Sequence, residues 1–586
     1  MTLHRHLSFL LVAVSATACS IDDRKLSNAE CAADGGACPT GSFSVTITTP
    51  ATNTYTNGTL EVQVAVSGST PDSLELLLDG LSLTQLSAPY RYTWNTATVA
   101  EGEHTLVARA SRAGENASSA GHKVIVDRTA PSVVSHVPPA DGKNVFIDDP
   151  VLVRFSEPLS GAPADAVTFT AGGAAVAATN TLSDDGLGLS ITPGAYAPKS
   201  VQVTLNASLT DRAGNAIAPY NWQFDVPAWQ SLGKLGTTGA YDAHLAIDSD
   251  QTLYVSYWGG SGAGYLQRWT GSAWEPVGGE LRDQPLANVS AVAVAVPEPG
   301  RPVVAFSHAK DGVTLVFVWR WTGSEWEPMG PPHTGNELGA TSPALALGKS
   351  GTLYLSLLGI TNGPYNIYVA RWDGTSWDYV GDSVNGTIHV GSASVAFSIV
   401  GNDRPHIAWP VLASGGSHVL VRRWSGSVWE DAAPGVRFNA AASTSDPSLA
   451  VDASGTPYAA FAEFETNTVA DRAARYNNGT FEALGAPFSR AMDPTLGATT
   501  PAIAIDAAGR VVLVSKVVEQ GFAALAVRRF EANAWKTLGE NLTAQRGQRK
   551  VERVPALVLT AKGRPVVAFD QSDGTYSYVH VYRSNL

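Results

Sequence analysis

Cysteine is nearly absent from this chain, with three residues in 586 and none beyond Cys38. Everything downstream must therefore hold together on packed cores, without disulfides or thiolate metal sites. Charge is scarce as well, at 16% of residues, and leans acidic, with 39 Lys and Arg against 52 Asp and Glu and a net charge of −13. That excess is spread along the chain and no basic stripe offsets it, which argues against nucleic acid or an anionic membrane surface as the main partner. Beyond the first 19 residues no segment approaches the roughly 18 consecutive apolar residues that a spanning helix needs. The 12 histidines are scattered, with no H-E-x-x-H or similar spacing, and neither a G-x-S-x-G elbow nor a phosphate-binding glycine loop occurs. No catalytic residues, metal site or cofactor site stand out.

What the chain does have suits many short strands joined by turns: 44% hydrophobic residues, 56 Gly and 34 Pro. The length fits about three or four domains. Residues 1–18 read as an export signal, with His4, Arg5 and His6, an apolar run from Leu7 to Val14, and small residues up to Ala18. The ending Ala16-Thr17-Ala18-Cys19 resembles the lipobox of bacterial lipoproteins, with Ala16 where that family prefers Leu. The resemblance implies cleavage before Cys19 and its lipidation, so that the membrane is reached through an N-terminal lipid only. The alternative is an ordinary secretory signal cut at the A-x-A site of Ala16 and Ala18, with Cys19 left as an unpaired thiol. An exported chain meets an oxidising compartment, where Cys31 and Cys38 form a small disulfide loop by default. Residues 19–41 are small, polar and Gly-rich, and read as a flexible tether.

Regular alternation begins after residue 42. Phe43 to Thr48, Leu60 to Val66, Leu74 to Leu78, Tyr90 to Trp94, Thr105 to Ala110 and Val124 to Asp127 read as strands. Their number and spacing suggest a β-sandwich over residues 42–127. Tyr90-Arg-Tyr-Thr-Trp94, the run from Glu101 to Ala110 and the closing Val126-Asp-Arg-Thr-Ala-Pro131 resemble bacterial Ig-like domains, with Arg112 where an Asp is expected. Residues 128–226 form a second unit. Val151-Leu-Val-Arg-Phe-Ser-Glu-Pro158, Thr210-Asp-Arg-Ala-Gly-Asn215 and Tyr220-Asn-Trp-Gln-Phe224 resemble the Ig-like domain of S-layer and surface proteins. Asp211, with Asp127 at the junction, has the chemistry of a calcium ligand. Equally, Asp211 can cap its own Gly-Asn turn.

From 227 to 586 the chain repeats. Arg268-Trp-Thr-Gly-Ser-Ala-Trp-Glu-Pro-Val-Gly278 returns at Arg320 and Arg371, and in weaker form at Arg423, Arg475 and Arg529. Each copy carries two aromatic residues five apart, the first of them at 269, 321, 372, 424, 476 and 530, a recurrence of 51 to 54 residues. That period suits a four-stranded propeller blade, with the aromatic pair facing across a hairpin. Nine of the 15 Trp occupy these hairpin positions, which makes them packing residues, and the arginines before them read as braces. A second hairpin lies between copies, and one of its positions reads Ala246, Ala295, Ala346, Ala396, Ala450, Ala504 and Val558, small residues as a crowded axis demands. Seven inner but six complete outer hairpins leave Trp229-Gln-Ser-Leu-Gly233 and Val579-His-Val-Tyr-Arg583 over. Pairing them closes a ring and removes a free edge. The fold class expected is thus all-β: two Ig-like sandwiches followed by a seven-bladed β-propeller whose first strand joins its last.

Polar or aromatic residues that break the repeat where the second strand of each blade meets its loop are the ligand candidates: Trp258, His308, Glu463, Lys516, Asp570 and Gln571. Glu463 and Asp570 have the chemistry of a glycosidase pair, but spacing alone does not place them at working distance. The turns share Asp and Gly with the Asp-boxes of sialidases, at different spacing. Tether, sandwiches and ring together imply an exported binding or adhesion lipoprotein of the bacterial cell envelope, in the outer membrane or on the cell surface. Its ligand is expected to be a glycan or an envelope or surface protein. The alternatives are a polysaccharide hydrolase or lyase on a propeller scaffold and a structural envelope component.

Overall fold

The computed structural model describes residues 43–586 apart from positions 238, 286, 389, 391–394, 401–402, 414–415, 441, 493–500, 520–521, 544–554 and 573–574. The export signal, the tether and Cys19, Cys31 and Cys38 lie outside the described residues. The chain is all-β, and among the described residues no helix is long and apolar enough to cross a membrane.

The first unit packs a three-stranded sheet of Ser44–Thr49, Thr59–Ser67 and Arg91–Asn95 against a six-stranded one centred on Gly102–Arg112. Alternation along each strand turns Val62, Leu76, Trp94, Leu106 and Val124 inward, where they are buried. The second unit packs two four-stranded sheets in the same way. Val151–Phe155 buries every other residue, and Phe155, Phe169, Val203, Trp222 and Phe224 fill the space between sheets.

Seven further sheets follow, taken as blades 1 to 7. Blade 1 comprises Ala240–Ile247, Leu253–Gly259, Gly264–Trp269 and Trp274–Pro276; blade 2 comprises Val289–Glu298, Arg301–Lys310, Val313–Trp321 and Trp326–Pro328. Blade 3 is Gly339–Leu347, Leu353–Ile360, Asn366–Trp372 and Trp377–Tyr379, and blade 4 is Ala396–Val400, Arg404–Ala413, Gly416–Trp424 and Trp429–Val436. Blade 5 is Ser443–Val451, Pro457–Phe464, Thr468–Asn477 and Thr480–Ala483, with Phe488–Ala491 added beside its third strand; blade 6 is Ala502–Ile505, Val511–Glu519, Phe522–Glu531 and Ala534–Thr537. Blade 7 takes three strands from one part of the chain, Ala556–Leu559, Pro565–Ser572 and Ser577–Ser584, and its fourth, Trp229–Leu235, from another. Trp229 pairs with Ser584 and Leu235 with Val579. First strands lie side by side from blade 1 through blade 7 and back to blade 1, so the ring is closed.

The aromatic pairs face each other across the outer hairpins, with ring centroids 5.2 Å apart for Trp269 and Trp274 and 5.3 Å apart for Trp372 and Trp377. The second member also reaches the preceding blade. The indole N–H of Trp274 donates to Leu232 O, that of Trp377 to Met329 O and that of Trp429 to Val380 O, each at 2.8 Å, and that of Trp535 to Leu484 O at 2.6 Å. These tryptophans thus tie neighbouring blades together at the rim. The arginines brace as expected, Arg268 to Glu275 at 3.2 Å, Arg320 to Glu327 at 3.0 Å and Arg423 to Glu430 at 2.9 Å. Blade 4 corrects one expectation. Ala246, Ala295 and Ala346 oppose Tyr254, Val303 and Tyr354, whereas in blade 4 the equivalent residue is Ser398, opposite His406, and Ala396 instead pairs with Ala408. The spacing across the turn is unchanged, eight positions from Ser398 to His406 as from Ala246 to Tyr254, so the axis position of blade 4 falls on Ser398, a small residue two positions beyond Ala396.

The second sandwich does not hang from the ring as a free spacer. Its segment 144–148 lies against blade 7. Asn585, 2% exposed, accepts from Ile147 N at 2.9 Å and donates to Val145 O at 3.2 Å and Pro227 O at 2.7 Å. Asp148 binds Lys562 at 2.9 Å and also Arg564, and the Arg583 guanidinium lies 3.4 Å from the centroid of the Phe146 ring.

Candidate functional site

In antiparallel blades the turns joining first to second and third to fourth strands share one side of the ring, and the second-to-third loops and blade-to-blade connections share the other. The six candidates from the repeat analysis lie toward the latter side, but inside the second strands rather than at the start of the loops. His308, Glu463, Lys516, Asp570 and Gln571 are at most 3% exposed, so the polar end of each strand is packed, not a solvated rim. His308 Nε2 lies 2.6 Å from Asp283 Oδ1, and the ring stacks on Phe317 with centroids 4.4 Å apart. Glu463 accepts from the backbone N–H of Phe438 and Asn439 and from Arg472 Nε at 2.7 Å. Trp258 stacks on Tyr241 at 4.5 Å. Asp471 lies beside Lys516; burial pushes its carboxyl up to about 6 while Arg490, Arg528 and Lys516 pull the other way. Glu463, His308 and Trp258 are thereby engaged within the protein.

The large concavity is on the opposite side of the ring, between blades 2 and 3. It is a cleft of about 750 Å³ whose walls include Arg301, Val303, Arg320, Trp321 and Glu327 of blade 2 and Thr352, Trp372 and Asp373 of blade 3. One repeat position contributes to it. The second-strand residue opposite the bracing arginine is tyrosine in blades 1, 3 and 5 (Tyr254, Tyr354, Tyr458), histidine in blade 4 (His406) and valine in blades 2, 6 and 7 (Val303, Val512, Val566). Tyr254 packs into the core between blades 1 and 2, and Tyr354 into that between blades 3 and 4. Val303 faces blade 3 with far less volume. Arg320 makes a two-nitrogen contact with Glu327 at 3.1 and 3.0 Å, and Arg301 donates to Thr322 O at 2.8 Å. The Asp373 carboxyl is held down at about 2 by the backbone N–H groups of Ser376 and Thr375. Two half-exposed indoles, two guanidiniums and the three carboxylates of Glu298, Glu327 and Asp373 thus share one pocket, offering flat apolar faces beside donors and acceptors. The arrangement can bind a ligand with apolar faces and hydroxyls. The polar residues that break the repeat point to the other side of the ring, and the valine at 303 is shared with blades 6 and 7, so the repeat by itself does not single out this cleft.

At the junction of the two sandwiches, carboxylate oxygens of Asp127, Glu157 and Asp211 lie within 4.8 Å of one another. Burial, then the charges of Asp127, Asp211 and Glu101, raise the Glu157 carboxyl above its usual range. Asp211 is also the cap of its turn: one oxygen accepts from Ala213 N and Asn215 N, each at 2.8 Å, and the other from Asn215 Nδ2 at 2.7 Å. Three carboxylates can supply part of the six to eight oxygens of a calcium shell.

Residues 44–108 match the bacterial Ig domain family and residues 127–226 the bacterial Ig-like domain family. No curated protein matches the chain. Among solved structures, it is similar to a PL25 polysaccharide lyase, an ulvan lyase bound to an oligosaccharide, at 13% identity over 61% of this chain and 96% of that one, with a TM-score of 0.43. A fucoside-bound lectin from Aleuria aurantia matches at 14% identity over 53% of this chain and 99% of that one, with a TM-score of 0.34.

Proposed function

We propose that this chain is an exported, lipid-anchored binding protein of the bacterial envelope whose propeller takes a glycan in the cleft between blades 2 and 3. The observation that carries this reading is the cleft itself. Indole faces of Trp321 and Trp372 beside Arg320, Glu327 and Asp373 combine the apolar and hydrogen-bonding surfaces that a sugar ring presents in alternation. Residues 42–127, 128–226 and 227–586 act in this scheme as two sandwiches and the ring that presents the cleft, with the second sandwich fixed to blade 7 rather than swinging free.

The test is Val303→Tyr in the full chain. That change places at 303 the tyrosine that blades 1, 3 and 5 carry at the same position, so it fills the cleft with a side chain the architecture accommodates elsewhere. On a glycan array the parent binds and the variant loses about tenfold or more, the scale of a blocked hydrogen-bonded subsite, with an unchanged melting temperature. A variant that binds as the parent does overturns the assignment to this cleft. Glu463→Gln and Lys516→Met serve as the opposing arm: binding lost there, with Val303→Tyr unaffected, places the ligand at the other mouth of the ring.

A further inference from the structure

The ring contains a second copy of the cleft's wall, and there it is occupied. Gly300-Arg-Pro-Val-Val-Ala-Phe306 of blade 2 is identical to Gly563-Arg-Pro-Val-Val-Ala-Phe569 of blade 7. The register is shared too, Val303 opposite Arg320 and Val566 opposite Arg583. Arg320 is held by Glu327 as Arg583 is held by Gln230. In blade 7 the second sandwich supplies the occupant. The Arg583 guanidinium lies over the Phe146 ring at 3.4 Å and Arg564 binds the Asp148 carboxylate. In blade 7 the pair of arginines thus takes an aromatic face on Arg583 and a carboxylate that Arg564 shares with Lys562, where blade 2 carries Pro299.

From this internal template we infer that the glycan of the blade 2 cleft carries a carboxylate, as a uronic acid does, with the acid on Arg301, the counterpart of Arg564, and the sugar ring between Arg320 and the indoles. The inference rests on the glycan reading above. Arg301 can receive the acid because its ion pair with Glu298, a residue of the cleft wall where blade 7 has Ala561, is long, at 4.0 Å, and both side chains are more than half exposed, so a ligand carboxylate takes Glu298's place on the guanidinium. The differences between the two copies favour a sugar over a peptide. Asn585, whose amide brackets the backbone of residues 145–147 in blade 7, corresponds to Thr322, which lacks that amide, and Ser584 corresponds to Trp321, which adds a flat face. Glu327 and Asp373 accept from hydroxyls, which a sugar ring has and the 144–148 segment lacks.

The experiment titrates the full chain with galacturonate, glucuronate and mannuronate/guluronate oligosaccharides, each against its carboxyl-reduced neutral form, and with a peptide of residues 143–150. At least one acidic form is expected to bind about tenfold or more tighter than its neutral form, the scale of one charged hydrogen-bond pair. Arg301→Gln should erase that preference, so that in the variant the acidic and neutral forms bind alike. Equal binding of acidic and neutral forms overturns the inference but leaves the glycan reading standing. A preference that survives Arg301→Gln overturns the assignment to that arginine. Binding of the peptide above every sugar shows the cleft to be a protein-docking site and overturns both readings, as does the absence of any glycan binding here and on the array.

Discussion

Replacing Asn585 by Ala removes one side chain from a chain of 586 residues, yet it should loosen the ring and the second sandwich together. Asn585 is 2% exposed. Its amide accepts from Ile147 N and donates to Val145 O and Pro227 O, joining the sandwich, the strand that enters blade 7 and the strand that leaves it. Each net hydrogen bond is worth about 1 kcal/mol, and the three groups left behind have no water at hand, so the loss is about 3 kcal/mol. Unfolding entropy of about 2.1 cal/mol/K per residue near 60 °C, taken over residues 227–586, is about 0.75 kcal/mol per degree. The propeller transition should therefore fall by about 4 °C in calorimetry. Hydrogen exchange supplies the local readout, since the Ile147 amide loses its acceptor and should exchange faster while the Trp222 core of the sandwich stays protected. A shift under about 1 °C with Ile147 protection intact would refute the idea that sandwich and ring are one cooperative unit.

Two further expectations concern the rim and pH. Trp377→Phe breaks the bond to Met329 O and should cost about 1 kcal/mol in urea unfolding, whereas Trp326→Phe should cost less, because the buried Trp326 indole N–H makes no hydrogen bond; equal losses would mean packing alone sets the cost. Burial lowers His333, His406 and His580 to about 4 from an ordinary value of 6.5, so the unfolded chain takes up protons first and stability should fall as pH drops from about 6.5 to 4. Buried Asp471, raised to about 6, works the other way over the same range, and His333→Leu should flatten the acid-side loss; a urea midpoint whose pH dependence is the same with and without His333→Leu would show that this histidine protonates freely in the folded state.

Much of this architecture is written locally. A strand needs only alternation, a hairpin only its turn residues, and an aromatic pair five apart needs only two strands to face itself, so the blades, the Trp pairs and the joining of Trp229–Leu235 to Ser577–Ser584 were legible from the repeat. The ring's one departure, Ser398 in place of Ala396 at the axis, involves no change of turn length: two small residues stand two apart in the same strand, and only the pairing with His406 shows which one holds the position.

Where repeat reasoning fell short, the missing information was three-dimensional. Glu463 and His308 break the pattern, as ligand residues would, but so do residues recruited to satisfy buried neighbours, and only the packing shows Arg472 and Asp283 waiting for them. Val303 does not break the pattern, since blades 6 and 7 carry Val512 and Val566 at the same position, and it becomes meaningful only because blade 3 stands opposite and leaves room. The sequence by itself determined the strands, the repeat and the way the ring closes, because these depend on short-range periodicity and on the need to pair every edge. Which repeat-breaking residues are buried, where the cleft opens, and that Phe146 and Asp148 seal its twin were decided by tertiary structure, because each depends on what a neighbouring blade or domain brings into van der Waals contact from hundreds of residues away.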